Sequence, residues 1–223
     1  MLITIDGPAG AGKTTVSRIL AQRLGFRYVD TGALYRGVAL AAQDAGIDIT
    51  DDSGLEQMLK KLSIGFVVRD GATRLVLNKE DVTKRIRTPE ITMAASAVSA
   101  RPVVRQYLLE VQHGLGSEKR AVFEGRDMGT VVFPDADIKF YLDASVEVRA
   151  RRRFNEFKDQ NPQSVSEVAA DIRRRDENDS TRAVAPLRAA EDAVFIDASD
   201  LSVERVVEEM LTYIQQKDRD FTR

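Results

Sequence analysis

The chain begins with short apolar runs that alternate with longer amphipathic stretches. Residues 2–6 form a short, largely apolar run of the kind found in buried strands. Residues 13–24 repeat apolar side chains on one helical face, and Gly25 follows as a stop signal. Residues 26–30 then predict a second strand, and residues 31–45 predict a second helix. This order of elements is typical of a parallel α/β sheet.

Three further apolar runs predict the remaining strands of the same sheet. They lie at residues 121–126, 138–144 and 193–199. Together with the first two strands, we expect them to form a five-stranded parallel sheet flanked by helices, with right-handed crossovers. The amphipathic tail, residues 203–216, is expected to pack on this sheet as a helix.

Residues 64–83 do not fit a strand–helix repeat. Apolar and polar positions alternate there on both sides of Asp70-Gly71, which is a hairpin signal. We therefore expect a small antiparallel β insertion in the α/β framework.

Two longer stretches are helical in pattern. Residues 89–117 predict two helices that break at Pro102. Residues 145–182 predict a strongly charged helical region that is interrupted near Asn161-Pro162.

Composition narrows the class of protein. The chain has 223 residues, of which 43% are hydrophobic and 30% charged, as expected of one soluble globular domain. No apolar run is long enough to span a membrane and no signal-peptide pattern opens the chain, so we expect a cytoplasmic protein without a membrane partner. Since cysteine is absent and histidine occurs once, disulfides, thiolate metal sites and multi-histidine metal sites are excluded.

Charge gives a second, more local signal. The net charge of −2 does not indicate nucleic acid as a partner. Arginine supplies 24 of the 33 basic residues, and nine arginines lie between residues 149 and 188. Each guanidinium group can donate two parallel hydrogen bonds to phosphate oxygens, so this cluster of arginines favours a phosphate ligand. The alternative interpretation is a basic helix face that is exposed to solvent.

One motif names the ligand. The sequence matches the pattern G-x-x-x-x-G-K-[ST] between a predicted strand and a predicted helix, at Gly7-Pro8-Ala9-Gly10-Ala11-Gly12-Lys13-Thr14. Its glycines allow a tight turn whose amides face an anion, and the helix that follows presents free N–H groups. Lys13 can reach the β and γ phosphates of ATP, and the Thr14 hydroxyl can ligate magnesium.

A phosphate loop does not by itself name a reaction, so a regulatory NTPase switch and a nucleic-acid-binding protein stay as alternatives. A GTPase would carry a guanine-reading motif after a buried parallel strand. The one apparent match, residues 78–81, lies instead at the end of the predicted hairpin. This placement disfavours a GTPase.

Two further segments predict a second phosphate-bearing ligand. Tyr35 and Arg36 lie one turn inside the helix that follows the second strand, where another phosphate could bind. Arg126 and Asp127 lie at the end of the strand predicted over residues 121–126, and ligands of open parallel sheets bind at the carboxyl ends of strands. The pair offers one partner for phosphate and one acceptor for a hydroxyl or an exocyclic amine.

These segments together resemble one family. The motifs are ITIDGPAGAGKTT, DTGALYR, the hairpin insertion, AASAVSARPVVRQ, GRDMGTVVFPDA, RARRR at 149–153 and RRRDENDSTRAVAP at 173–186. The chain is similar over nearly its whole length to bacterial cytidylate kinases, which are nucleoside monophosphate kinases.

The resemblance implies a P-loop NTPase fold with a β insertion and a helical lid. It implies a single P-loop kinase domain over residues 1–223. Its parts would be a core (about 1–30, 119–148 and 167–223), a monophosphate-binding region (about 31–118, with the insertion at 64–83) and a lid (about 149–166).

It also implies a reaction: ATP, the co-substrate, donates its γ-phosphoryl group to CMP or dCMP with magnesium present. A kinase that acts on another small acceptor, such as UMP, stays open as the alternative. A cytoplasmic monomer is expected.

Finally, the resemblance implies roles for individual residues. The catalytic set would be Lys13, Arg126, Asp127 and Arg182. The ATP-binding set would be Gly7, Pro8, Ala9, Gly10, Ala11, Gly12, Lys13, Thr14, Thr15, Arg149, Arg152 and Arg153, with Thr14 as metal ligand. The acceptor set would be Thr31, Tyr35, Arg36, Ser96, Arg105, Arg126, Asp127, Arg175, Asp179 and Arg182.

Overall fold

Residues 2–6 form strand β1, and all five of its residues are buried. A computed structural model describes residues 1–157 and 163–221 of the chain. Contacts within it divide the chain into two units, here called unit 1 (Met1–Val29 and Glu118–Arg223) and unit 2 (Asp30–Ser117). Each described helix is too short or too polar to cross a lipid bilayer.

The elements follow the predicted order closely. From the N-terminus they are β1 (Leu2–Asp6), α1 (Lys13–Leu24), β2 (Arg27–Asp30), α2 (Thr31–Asp44), α3 (Asp52–Leu59), β3 (Ile64–Arg69), β4 (Ala72–Leu77), β5 (Glu80–Asp81), α4 (Pro89–Val98) and α5 (Pro102–Gly116). They continue with β6 (Ala121–Gly125), β7 (Ile138–Asp143), α6 (Val146–Phe157), α7 (Val165–Thr181), β8 (Val194–Asp197) and α8 (Val203–Phe221).

The predicted five-stranded parallel sheet is confirmed. Its strand order is β2-β6-β1-β7-β8, so the first strand of the chain is the middle strand of the sheet. Strand β1 pairs in parallel with β6, from Leu2 opposite Ala121 to Asp6 opposite Gly125. It pairs in parallel with β7 on its other side. The end of β1 therefore lies between two parallel neighbours, in the place where such sheets bind ligands.

Buried apolar side chains of β1 and of its neighbour β7 explain why β1 lies in the middle of the sheet. Ile3, Ile5, Phe140 and Leu142 are almost completely buried, and each removes apolar surface from water. Helices α1 and α8 supply the facing apolar side chains of this core, among them Val16, Leu20, Val206, Val207, Met210 and Ile214. The tail is thus a helix that packs on the sheet, as the sequence predicts.

Unit 2 contains the antiparallel insertion, which is also confirmed. Strands β3, β4 and β5 form a separate three-stranded sheet in that order. Both of its turns use left-handed backbone: Asp70 and Gly71 have φ of 52° and 71°, and Asn78 and Lys79 have φ of 46° and 75°. The GTPase-like residues 78–81 are therefore a hairpin turn and the strand that follows it.

Some elements were not predicted from the sequence. They are α3, the short strand β5, a 3₁₀ turn at Arg85–Arg87 and a π-helical turn at Met128–Val132. The predicted lid, 149–166, covers parts of α6 and α7, but residues 158–162 lie outside the described residues. The assignment of core, monophosphate-binding region and lid stays a prediction.

Candidate nucleotide site

The phosphate loop follows β1 directly, and its glycines have backbone that other residues rarely adopt. Gly7, Gly10 and Gly12 have φ of 147°, 78° and 97°. A Cβ atom on Gly7 would lie 1.9 Å from the carbonyl oxygen of Leu142 in β7. The loop therefore packs against the sheet so closely that only glycine fits there.

Lys13 is the first residue of α1 and is only 7% exposed. Its Nζ donates to the Pro8 carbonyl at 2.6 Å, so the side chain folds back over its own loop. Burial lowers the pKa of Lys13 well below its usual value, and Arg126 lowers it further, while Glu124 opposes the shift. A bound triphosphate would add negative charge here and favour the ammonium form.

Thr14 donates its hydroxyl proton to Oε1 of Glu124 at 2.9 Å. Tyr28 in β2 donates to the same carboxylate oxygen at 2.6 Å. Glu124 lies near the end of β6 and is 4% exposed. No role for Glu124 is predicted from the sequence, although a carboxylate in an otherwise apolar strand is a signal of one. Its contact fixes the Thr14 hydroxyl proton, which leaves the oxygen lone pairs available to a cation.

The donor set at Thr14 suits magnesium. A hydroxyl and a carboxylate are hard oxygen ligands, which Mg²⁺ prefers together with substrate phosphates and water. Thr14 and Glu124 are in direct contact at the helix that begins after the phosphate loop. The residues present therefore fit the ion. Thr15, the next predicted ATP contact, is exposed in the first turn of α1.

Asp6 is a second carboxylate for which the sequence predicts no role. It ends β1 and accepts two backbone bonds, from Met128 N at 2.9 Å and from Gly129 N at 2.8 Å. Burial raises its pKa to about 6, and the two backbone bonds only partly offset that shift. The bonds tie the strand before the phosphate loop to the π-helical turn that follows Asp127.

Arg126 and Asp179 form an ion pair in unit 1. Arg126 Nε donates to Oδ2 of Asp179 at 3.0 Å, and Asp179 is buried. Arg175 lies one helical turn earlier on α7, with its Nε 4.0 Å from the same oxygen. The structure thus brings together three residues of the predicted acceptor set around one carboxylate.

Asp127 and Arg182 form a neighbouring pair. Arg182 donates through its terminal nitrogen to Oδ1 of Asp127 at 3.4 Å, and through Nε to the Ala185 carbonyl at 2.6 Å. The Asp127 side chain is 3% exposed and that of Arg182 is 8% exposed. Asp127 lies just beyond the end of β6, three residues after the Glu124 that contacts Thr14, and Arg182 follows the end of α7.

The arginines of α6 contact the phosphate loop from outside. Arg149 is 5% exposed and donates to the Ala9 carbonyl at 3.0 Å. Arg152 donates to the Ala11 carbonyl at 3.4 Å and to the Ala198 carbonyl at 2.7 Å. Arg153 is half-buried on the same helix. Arg149 and Arg152 here contact loop backbone, and their predicted contact with ATP stays a prediction.

Unit 2 carries the other predicted acceptor residues. Asp30 caps α2 by accepting from Ala33 N at 2.9 Å, and its second oxygen accepts from Arg36 at 2.9 Å. Thr31 and Tyr35 are buried in the first two turns of α2. The carboxylate therefore fixes both the helix start and the direction of the Arg36 guanidinium.

Arg105 in α5 lies over Tyr35, with its guanidinium carbon 5.8 Å from the ring centroid. It is 8% exposed and donates to the Ser99 carbonyl at 3.3 Å. Ser96 lies on α4, half-buried, and its carbonyl accepts from the Ser99 hydroxyl at 2.7 Å. Within unit 2, Arg105 and Tyr35 are therefore in contact, and Ser99 connects Arg105 with the end of α4.

A parallel sheet with a phosphate loop after its middle strand defines the P-loop NTPase class of proteins. A solved shikimate kinase from Bacteroides thetaiotaomicron shares this fold, with a TM-score of 0.52 at 14% identity, over 96% of this chain and 98% of that one. The family model for cytidylate kinase matches residues 3–216. The chain belongs to the cytidylate kinase family.

Curated relatives agree with the family match. The cytidylate kinase of Geobacter sulfurreducens is 50% identical over 220 residues, which are 98% of this chain and 94% of that protein. The cytidylate kinase of Citrifermentans bemidjiense is 47% identical over 219 residues, 97% and 94% of the two chains. The resemblance seen in the sequence is confirmed: the protein is a nucleoside monophosphate kinase with ATP as co-substrate. The comparisons give no support to UMP as the alternative acceptor.

Proposed function

We propose that the protein transfers the γ-phosphoryl group of ATP to CMP or dCMP at the carboxyl edge of its five-stranded sheet. The products are ADP and CDP or dCDP. One observation carries the site assignment: Thr14 in the phosphate loop and Glu124 in β6 are 2.9 Å apart. Because Arg126 and Asp127 lie two and three residues after Glu124, a phosphate donor on the loop and a phosphate acceptor at the end of β6 would be neighbours.

The loop residues Gly7 to Thr15 hold the triphosphate. Its left-handed glycines at positions 7, 10 and 12 allow backbone N–H groups to face the phosphates. Lys13 places a buried cation beside them, and such preorganised charge stabilises the transition state of phosphoryl transfer. Arg149, Arg152 and Arg153 add positive charge on α6.

Magnesium, when bound, neutralises phosphate charge and fixes the geometry of the triphosphate. The Thr14 hydroxyl would ligate it directly. Glu124 would orient that hydroxyl, because it accepts its proton.

The acceptor is held by three groups of residues. Arg36, Arg126 and Arg182 bind its phosphate; Arg175 and Asp179 contact its ribose; Asp127, Ser96 and Arg105 read the edge of cytosine, with Thr31 and Tyr35 beside them. No strong general base is needed, because the attacking phosphate oxygen is already ionised near neutral pH. Asp127 is thus a group that positions the base.

The setting of the protein is part of the same proposal. A nucleotide-phosphorylating enzyme acts where its substrates are, so we place it in the cytoplasm as a monomer that works on free nucleotides. Size-exclusion chromatography with light scattering tests the monomer: a mass near 24.8 kDa supports it, and twice that mass contradicts it.

A coupled assay of ADP release tests the acceptor. Separate reactions contain CMP, dCMP, UMP, AMP or no acceptor. We expect CMP and dCMP to give the largest kcat/KM and the reaction without acceptor to be slow. Equal rates with and without acceptor would indicate an NTPase switch, and a preference for UMP or AMP would overturn the assignment of cytosine.

A further inference from the structure

The peptide backbone of Ala9, in the phosphate loop, is held from both sides by one ion pair. Its N–H donates to Oδ1 of Asp176 at 3.3 Å. Its carbonyl accepts from a terminal nitrogen of Arg149 at 3.0 Å. The same Arg149 nitrogen also pairs with the other carboxylate oxygen of Asp176. The three groups close a ring of contacts, all of it within unit 1.

Arg149 is rigidly placed for this contact. Its Nε donates to the Ala144 carbonyl at 2.7 Å, at the loop that precedes α6. Its backbone lies against the phosphate loop, because a Cβ on Gly10 would be 3.3 Å from the Cβ of Arg149. Charge-assisted hydrogen bonds of this kind, in a nearly dry setting, are among the stronger contacts in proteins.

Asp176 belongs to α7, which also carries Arg175 and Asp179 of the proposed acceptor set. Its side chain is 20% exposed, so it is mostly withdrawn from solvent. One helix therefore presents a carboxylate to the donor loop and, from adjacent positions, the groups assigned to the acceptor ribose.

The shape of the phosphate loop depends on which groups donate hydrogen bonds to its backbone carbonyls. The Pro8, Ala9 and Ala11 carbonyls all accept from cationic side chains, namely Lys13, Arg149 and Arg152. Asp176 adds a carboxylate to these contacts, and it holds both the Ala9 amide and the Arg149 cation. A loop held in its binding shape before the ligand arrives loses less conformational entropy on binding.

We propose that Asp176 is a positioning residue for ATP: it keeps Ala9 and Arg149 in place, and so holds the phosphate loop in its ATP-binding shape. This inference rests on the proposed function of the loop. Asp176 acts through Ala9 and Arg149 and does not itself contact the reacting atoms.

Three variants of the full chain test it. Asp176→Ala removes both contacts, and Asp176→Asn keeps an oxygen for the Ala9 amide but removes the charge that pairs with Arg149. Asp171→Ala is the matched control, since Asp171 also lies on α7 and pairs with an arginine, Arg174, at 2.8 Å. That carboxylate is 45% exposed.

The main readout is the Kd for ATP without acceptor, measured by isothermal titration calorimetry. Losing a hydrogen bond to a charged group costs about 1.5–3 kcal/mol, which corresponds to a Kd about 10- to 100-fold higher for Asp176→Ala. Asp176→Asn should lie between that variant and the wild type, and Asp171→Ala within about twofold of the wild type. The KM for ATP should follow the Kd, while the KM for CMP at saturating ATP changes less.

Other results overturn the inference. A Kd for ATP in Asp176→Ala equal to that of the control would show that the ion pair does not hold the loop. Tighter binding would show that the carboxylate competes with phosphate for the Ala9 amide. A lower melting temperature with unchanged Kd and a reduced active fraction would indicate a structural role only. Failure of the wild type to phosphorylate CMP would instead contradict the proposed function.

Discussion

Lys13 is the buried positive charge of the proposed donor site. It is a buried cation whose pKa is lowered, first by burial and then by Arg126. In this structure its Nζ contacts the Pro8 carbonyl. Since a charge held in a dry site interacts strongly with a developing anionic transition state, most of its effect should appear in turnover.

Replacement of Lys13 by alanine should reduce kcat by roughly 10³-fold or more, the scale typical of removing a key electrostatic stabiliser. Steady-state kinetics at saturating ATP and CMP measure kcat for the variant and the wild type. Lys119→Ala is the control, because Lys119 belongs to the same unit and its side chain is 63% exposed. Near-normal turnover of Lys13→Ala would contradict the site.

Substitution of Asp127 should weaken the use of CMP much more than the binding of ATP. Asp127→Ala removes the proposed partner of cytosine, so the KM for CMP should rise roughly 10- to 100-fold, the scale of a lost hydrogen bond to a charged group. The Kd for ATP should change by less than about threefold. Asp135→Ala, an exposed carboxylate in the segment between β6 and β7, is the control. Equal losses for both substrates would point to misfolding of the site.

Asp6 should make the free energy of unfolding decrease as the pH rises from 4 to 7. Its pKa is about 6 in the folded chain against 3.8 as the reference value. Folding therefore favours the protonated acid, and the stabilisation is fully present below about pH 4 and is lost as pH rises through 6. The whole effect is about 3 kcal/mol. Urea unfolding between pH 4 and 7 should show this loss in the wild type and not in Asp6→Asn. A carboxyl NMR signal of Asp6 that titrates near pH 4 would contradict it.

At the scale of elements, the sequence predicts those strands and helices whose bounds are set by a local pattern of residues. Strand β1 and helix α1 were predicted with the bounds that the structure shows, because an apolar run and a glycine stop specify them. Helix α3 was missed, although Asp51 caps it by accepting from Gly54 N at 3.0 Å. This helix has only two buried residues, Leu55 and Leu59, and the elements that they pack against are not evident from the sequence.

The same limit applies to the site. The phosphate loop, Arg126 and Asp127 have sequence signals, because motif and strand end can be read along the chain. Asp6, Glu124 and Asp176 take part through partners 100 to 170 residues away in sequence, such as Gly129, Thr14 and Ala9. The sequence alone does not show which of these distant residues come into contact in the folded protein.

The turn after β1 should tolerate no side chain. In Gly7→Ala the new Cβ would lie 1.9 Å from a carbonyl oxygen of β7, so either the loop or the sheet must shift. We expect a loss of about 3 kcal/mol or more in the free energy of unfolding. Gly25→Ala, with φ of 64° and open space around it, should lose about 1 kcal/mol. Equal stability of both variants in urea would contradict the close packing.

At the scale of the whole molecule, each of the two units carries some of the residues that we propose bind nucleotide. Unit 1 holds the phosphate loop together with Arg126, Asp127, Arg175, Asp179 and Arg182. Unit 2 holds Arg36, Ser96 and Arg105.

The central claim is that the γ-phosphoryl group moves from ATP on the phosphate loop to the phosphate of CMP. ³¹P NMR of the wild type with ATP, magnesium and CMP follows it directly, with Lys13→Ala run in parallel. The account predicts that ADP and CDP accumulate in equal amounts with little inorganic phosphate, and that the variant forms neither at a comparable rate. Release of inorganic phosphate without CDP, or equal CDP formation by the variant, would contradict it.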